Sequence, residues 1–426
     1  MSPAFVNNVA GPQIYSEALV TISLWKEKVR LADRHPFDAA KDVSNGALDI
    51  IWAVTFGSEM GTSKNQFTLL SGLENVALAD NTDAAVQFPA ASDPAAFKAL
   101  IKLSDSVEIA LHSPIPRLHH GLALRLMPSL ISAKKVKDQL LKSHIDAAWE
   151  KLQHNENEDA VKSALDLVVQ REAIMAKKDG RPAQYDTQAI RDELFGFLTA
   201  GFDTTSTTIC WGLKFLTRGL ANQAMLRSAL QAEFKRAREA GDNPTVDEIT
   251  KANVPYLDAT LEEMHRCGGT ASGNIRTTLE DTEVLGHLIP KGTDVFLMTN
   301  GPGYVDTPLP VEESKRSQSS QDSKDKTGSW EVFDISVFAP GRWLVKGESG
   351  KVEFNPRAGP AHQFGAGPRG CFGRRLASLE LKIMVTLIIW NFELHPTPAA
   401  LSSFAGQDKL THAPQQCYLR LAEVKH

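Results

Sequence analysis

The sequence predicts a mainly α fold with small peripheral β-sheets, and three observations carry that expectation. From residue 14 to about 290, apolar positions recur at helical spacing between polar loops. Strand-like runs come only late in the chain, and no internal repeat is visible. Of 426 residues, 42% are hydrophobic and 23% charged, enough apolar material for a core in one large fold or in about 3 domains.

The elements follow in order. Ser16 to Trp25 reads as helix, and Ala47 to Phe56 as another stopped by Gly57, with no strand region before them. A long helix is expected from about Thr187 to Thr217, N-capped by Asp186, with Ile190, Leu194, Phe197, Leu198 and Gly201 on one face. At 1.5 Å per residue it would run roughly 45 Å, far enough to cross a domain. Gly201 and the threonines from Thr204 to Thr208 predict a local opening in its middle, because Gly costs about 1 kcal/mol relative to Ala and hydroxyls compete for backbone carbonyls. Asn253 to Arg266 reads as a short helix, with Pro255 near its first position and Gly268 just past its end. Thr282 to Ile289 reads as a strand closed by a turn at Pro290–Gly292, and Gln416 to Leu421 as another. Glu312 to Gly328 has no apolar residue to offset ordering entropy and is expected to be a disordered surface insertion, a tolerated loop rather than a phosphoregulated tether.

Charge and cysteine usage narrow the function classes. The net charge of −5 gives no global pull towards nucleic acid or anionic lipid. Cys210, Cys267, Cys371 and Cys417 form no CxxC pair and no disulfide framework, so an intracellular, reducing setting is expected. The first residues lack the basic and apolar regions of a signal peptide. The longest apolar stretches, Ala47–Phe56 and Ile383–Trp390, fall well short of the roughly 18 residues that suggest a membrane span.

The most informative segment is Phe364-Gly-Ala-Gly-Pro-Arg-Gly-Cys371-Phe-Gly373, followed by helical spacing at Leu376, Leu379 and Ile383. A glycine-rich loop here delivers one cysteine to the start of a helix, where backbone N–H groups and the helix dipole favour a thiolate. Glycines also let a large flat ligand approach the backbone closely. Such a thiolate suits an axial position on haem iron, with Arg369 placed to neutralise a propionate. Gly365 to Gly370 matches GxGxxG literally, but no strand precedes it, Pro368 interrupts it and no βαβ unit surrounds it. A buried structural cysteine is the plain alternative. Against it, five specified positions at ~5% each make a chance match on the order of 1 in 10,000 for this chain.

This string resembles the haem-binding signature of the cytochrome P450 monooxygenases, and three more motifs stand in that family's order. Ala200-Gly201-Phe202-Asp203-Thr204 is similar to its Ala-Gly-x-Asp-Thr motif, Glu263-x-x-Arg266 to its Glu-x-x-Arg pair, and Phe338-Ala-Pro-Gly-Arg342-Trp343 to its meander. The resemblance implies a cytochrome P450 fold and haem b, with Cys371 as iron ligand. Phe364, Gly367, Gly373, Arg369, Arg276, Ala200 and Gly201 would then lie around the cofactor, Arg276 being a second propionate partner. Thr204 would stabilise the activated oxygen by hydrogen bonding and Asp203 would relay protons. Glu263, Arg266 and Arg342 would form a structural triad fixing the cysteine loop, costly to break singly by roughly 3–5 kcal/mol.

The implied function is insertion of one atom of dioxygen into a small apolar organic substrate. Electrons would come from NADPH through a cytochrome P450 reductase that docks near Arg374 and Arg375. Pocket-lining regions are expected at Ser113–Ser129, Phe195–Thr204, Gly268–Ile275 and Leu410–Gln415. The family usually resides at the endoplasmic reticulum membrane, but no anchor is expected in this chain. Two departures stand out. Cys267 to Gly273 replaces the family's usual proline-containing turn. None of the seven tryptophans is followed by Arg four positions on, so the chain is expected to begin near the family's fourth major helix, as a truncated product, an incomplete gene model or a shortened paralogue. The rival readings are a non-catalytic remnant unable to hold haem and a haem-thiolate isomerase or dehydratase; an intact Asp203–Thr204 pair argues against the last.

Overall fold

A computed structural model describes residues 1–154, 161–324 and 326–426. Numbering the helices of ten or more residues, α1 (Gly11–Ala32) packs on α2 (Ala40–Phe56), which leads to α3 (Thr62–Ser71). Sequence chemistry sets the joints. Asp42 of α2 accepts from Trp25 Nε1 at 3.1 Å and from Lys28 Nζ at 2.5 Å, so a buried ion pair holds α1 to α2. Asp49, about two turns later on α2, accepts the Thr62 and Ser63 amides at 3.0 and 2.7 Å. Those donors have no partner inside α3, so the cap is supplied by another helix.

The chain then runs through α4 (Ala95–Asp105), α5 (Pro116–Leu126), α6 (Pro128–His154) and α7 (Ala164–Asp179) to the long α8 (Gln188–Arg218). Its cap is Thr187, whose Oγ1 accepts the Ile190 amide at 3.3 Å. Asp186, expected in that role, is instead paired with Arg191 through two bonds of 2.6 Å. The expected opening is also corrected: α8 is α-helical throughout. Gly201 has a packing reason, since a Cβ there would lie 2.5 Å from Ile51 Cγ1 on α2. The missing side chain lets the two helices approach.

After α8 come α9 (Leu220–Glu233), α10 (Pro255–Gly268) and, near the end, α11 (Arg374–Asn391), whose second half is almost wholly buried. Pro255 opens α10, and Gly269 at φ +56° closes it. Strands β1 (Phe37–Asp38), β11 (Tyr418–Glu423) and β8 (Phe392–His395) form an antiparallel sheet in that spatial order, with Phe37 opposite Leu419 and Leu421 opposite Leu394. Two-stranded sheets pair β2 (Gly273–Thr277) with β5 (Asp294–Met298), β6 (Leu344–Lys346) with β7 (Val352–Phe354), and β9 (Gly406–Asp408) with β10 (His412–Pro414).

The single strand expected over Thr282–Ile289 is a hairpin, β3 (Thr282–Val284) and β4 (His287–Ile289). Leu285 and Gly286 turn it with φ of +51° and +82°. Two consecutive positive φ values match the right-handed twist of a tight hairpin. Within 312–328, expected to be disordered, the structure has helical turns at Glu313–Lys315 and Gln318–Lys324; Asp325 lies outside the described residues. Among the described residues, no helix is long and apolar enough to cross a membrane.

Candidate functional site

Glu263 and Arg266 sit one turn apart on α10, both fully buried. Arg266 Nη2 and Nε donate to the two Glu263 carboxylate oxygens at 2.7 Å each. Arg342 Nε donates to Oε1 at 3.0 Å, the Ala339 amide to Oε1 at 2.8 Å, and Trp343 Nε1 to Oε2 at 2.9 Å. Arg266 also donates to the Ile335 and Val337 carbonyls at 2.6 and 3.0 Å, and Arg342 to those of Asp334 and Val337 at 2.9 and 3.0 Å. One carboxylate and two guanidinium forks thus hold four backbone groups of segment 334–339. Trp330 lies 5.5 Å from both guanidinium carbons and edge-on to Trp343, completing a dry box around the charges.

The cysteine loop follows. Gly365 and Gly367 adopt φ of +64°, where a side chain would be strained, and the Cys371 amide donates to the Phe364 carbonyl at 2.7 Å to close the loop. The Cys371 thiol is exposed and stands just before α11. It borders a cavity of about 760 Å³ shared with Met1, Val6, Phe372 and Leu379. Phe364 anchors the loop edge-on against His265, and Arg374 lies 5.5 Å from the Phe364 ring. Burial, reinforced by the Arg374 charge, lowers the His265 imidazole to about 4, so it is neutral near pH 7. Arg369 and Arg276 are both exposed, and Arg276 donates to the Ile275 carbonyl at 2.8 Å. Arg375, read as a docking residue, donates to the Met1 carbonyl at 3.2 Å.

On α8, Ala200 and Thr204 share an exposed face, and the Thr204 hydroxyl donates to the Ala200 carbonyl at 2.7 Å. Gly201 points its missing Cβ at α2 instead. Asp203 is half-buried, and its Oδ2 accepts from Thr411 Oγ1 at 2.9 Å. Burial raises the Asp203 carboxyl above the usual range; the Thr411 bond offsets this in part, while the Asp105 charge adds to it. Thr411 in turn contacts Thr207 Oγ1 at 2.9 Å, and Thr208 contacts Thr270 Oγ1 at 2.9 Å. The Thr270 carbonyl accepts the His412 amide at 3.0 Å. Three of the four segments expected to line a pocket, on α8, after α10 and before β10, are therefore joined through threonine hydroxyls. The fourth meets them where Phe195 packs against a cluster containing Ala123 and Leu130. Thr411, Thr207 and Trp330 were not singled out from sequence; for the threonines the one available signal was the Thr-rich run on α8.

These residues fit a metal porphyrin by donor chemistry. One thiol stands exposed at the end of a loop whose Gly365 and Gly367 take left-handed backbone conformations. Exposed guanidiniums at Arg276 and Arg369 suit anionic substituents on such a group.

The structure is a helix-rich protein with an exposed thiol just before α11, and comparison with known proteins gives its class. The chain belongs to the cytochrome P450 family, whose family model matches residues 11–304 and 334–418. It is 42% identical to the cytochrome P450 monooxygenase GME11363 of Pestalotiopsis microspora, over all of this chain and 74% of that one. It is 36% identical to the cytochrome P450 monooxygenase TRI13 of Fusarium sporotrichioides, over all of this chain and 76% of that one. The haem domain of cytochrome P450DA shares its fold with a TM-score of 0.65 at 19% identity, covering 99% of this chain and 76% of the other. The family is enzymatic, and these curated relatives are monooxygenases by name.

Proposed function

We propose that this chain is a haem-dependent monooxygenase that inserts one atom of dioxygen into a small apolar organic substrate, with electrons from NADPH delivered through a reductase. The observation that carries the reading is the exposed Cys371 thiol on its glycine loop, in a chain whose α8 bears an exposed Thr204 next to a half-buried Asp203. When bound, haem b would supply the binding and reductive activation of dioxygen. Cys371 would hold the metal through sulfur, while Arg276 and Arg369 would pair with the propionates. Phe364 packs edge-on against the neutral His265 and anchors the loop, and the Glu263 brace holds the segment leading to it.

The proton path runs through Asp203, Thr411 and Thr207. A hydroxyl carries one proton, so while Thr411 donates to an ionised Asp203, Thr207 must donate to Thr411. The raised carboxyl of Asp203 can take up a proton nearer neutral pH than an exposed aspartate and pass it towards the exposed face. Thr204 already stands on that face, and rotation about its side-chain torsion would free its hydroxyl from the Ala200 carbonyl to bond outward. A reductase docking near Arg374 and Arg375 would approach on the thiol side of the chain.

The test is expression with haem supply and the absorption spectrum of the reduced, carbon-monoxide-bound form. A thiolate-type Soret band, lost in Cys371→Ala, is expected. No such band in the parent chain overturns the reading, and a band that survives in Cys371→Ala shows another ligand.

A further inference from the structure

The last turn of α8 carries a second charged feature, separate from the thiol and from Asp203. Lys214 is buried, and Arg218, one turn on, is exposed. Lys214 Nζ stands 5.0 Å from the centroid of the Phe404 ring, and the Arg218 guanidinium carbon 5.4 Å from the same centroid. Both border a cavity of about 310 Å³ whose wall also includes Thr217, Ser402 and Tyr418. Among the described residues, no carboxylate lines this cavity and none pairs with Lys214. The buried Thr217 hydroxyl has no hydrogen-bond partner. Two cations and several hydroxyls facing one cavity, with only the Phe404 ring and no carboxylate lining it to balance them, leave a donor set open to an anion.

We propose that this cavity is a binding site for a tetrahedral oxyanion, the phosphate group of a soluble small molecule, held by Lys214, Arg218 and the Thr217 hydroxyl. Arg218 offers a planar fork to two of its oxygens and Lys214 a compact charge to a third. The Phe404 ring stands beside the organic portion of the ligand. Burial lowers the Lys214 ammonium below the usual lysine range, a cost that a bound anion relieves. Lys214 lies ten residues, about 15 Å, along α8 from Thr204, so the site is distinct from the face read as catalytic.

Isothermal titration of the full chain at low ionic strength with inorganic phosphate, and separately with glycerol 1-phosphate, tests this. One saturable site per chain is expected, with the phosphate ester bound at least as tightly as the free ion. Lys214→Met and Arg218→Gln should each weaken binding about tenfold or more, while Lys346→Gln, an exposed lysine on β6, leaves it unchanged. Arg218 is exposed, so its variant keeps the test open even if Lys214→Met fails to fold. No saturable binding overturns the proposal, as does equal weakening by Lys346→Gln. Binding only to phosphatidylcholine vesicles containing phosphatidic acid, with none of either soluble anion, also overturns it in favour of a lipid headgroup.

Discussion

Thr411 donates its hydroxyl hydrogen to Asp203 Oδ2 across 2.9 Å, although 208 positions separate the two residues. The bond ties the loop before β10 to the middle of α8 and counters the burial that raises the Asp203 carboxyl.

Thr411→Val should therefore act in a pH-dependent way. It leaves the Thr207 hydroxyl without its partner at every pH, and it removes a donor that favours ionised Asp203. The folded-state carboxyl is already raised, so stability is lost as pH rises through its titration, and the variant deepens that loss. Urea denaturation should show a cost of about 1–3 kcal/mol, larger at pH 8 than at pH 4. An equal cost at both would detach Thr411 from Asp203.

Glu263→Gln should destabilise the chain by roughly 3–5 kcal/mol, because Arg266 and Arg342 are then buried beside a neutral amide that cannot accept all their hydrogen bonds. Arg342→Lys should be nearly as damaging, since one ammonium cannot reach Glu263, Asp334 and Val337 together. Chemical denaturation measures both; a loss under 1 kcal/mol in either would contradict the brace.

Gly201→Ala should cost about 1–3 kcal/mol despite the better helix propensity of Ala, because the new methyl meets Ile51 within a packed contact. Ile51→Ala removes the atoms in conflict. The double variant should then be more stable than the summed losses of the two single variants predict, by a coupling of about 0.5 kcal/mol or more.

Glu17, buried on α1, is raised from 4.5 to about 7, chiefly by burial and then by the Asp49 and Glu59 charges. Its folded-state pKa lies above the unfolded one, so the cost of ionising it is absent below 4.5, grows up to about 7 and is complete beyond. Glu17→Gln should raise the Tm relative to the parent chain at pH 8, by the equivalent of up to about 3 kcal/mol, and change it little at pH 4. A pH-independent difference would place the effect in packing instead.

The parts of the fold that sequence made legible are those where residue type and short spacing coincide. Glu263 and Arg266 stand one helical turn apart, and Pro255 opens their helix, so both could be placed from local rules. Arg342 came through the family's meander motif. Trp343 came with that motif, but Trp330 carries no spacing signal, because its contact with Arg266 crosses 64 positions of chain. The Thr-rich run on α8 was visible, but its reading as a loosened helix missed where the hydroxyls go: Thr207 and Thr208 bond to Thr411 and Thr270 on distant loops. Gly201 misled for the same reason, since its neighbour Ile51 belongs to a helix 150 residues earlier. The hairpin at Leu285–Gly286 was missed because a β-turn hides inside continuous strand-like text when only one of its central residues is Gly.

The sheet that joins β1, β11 and β8 has a consequence for the nascent chain. Its middle strand is translated after both neighbours, so Phe37 and Asp38 leave the ribosome some 380 residues before Leu419 and Tyr418. At ordinary elongation rates of about 5–20 residues per second, that interval is roughly 20–80 s. For all of it Phe37, wholly enclosed in the finished protein, has only the isolated bridge to Val86 beside it. The amino-terminal part of the sheet therefore waits on the carboxy-terminal strand for its last cover.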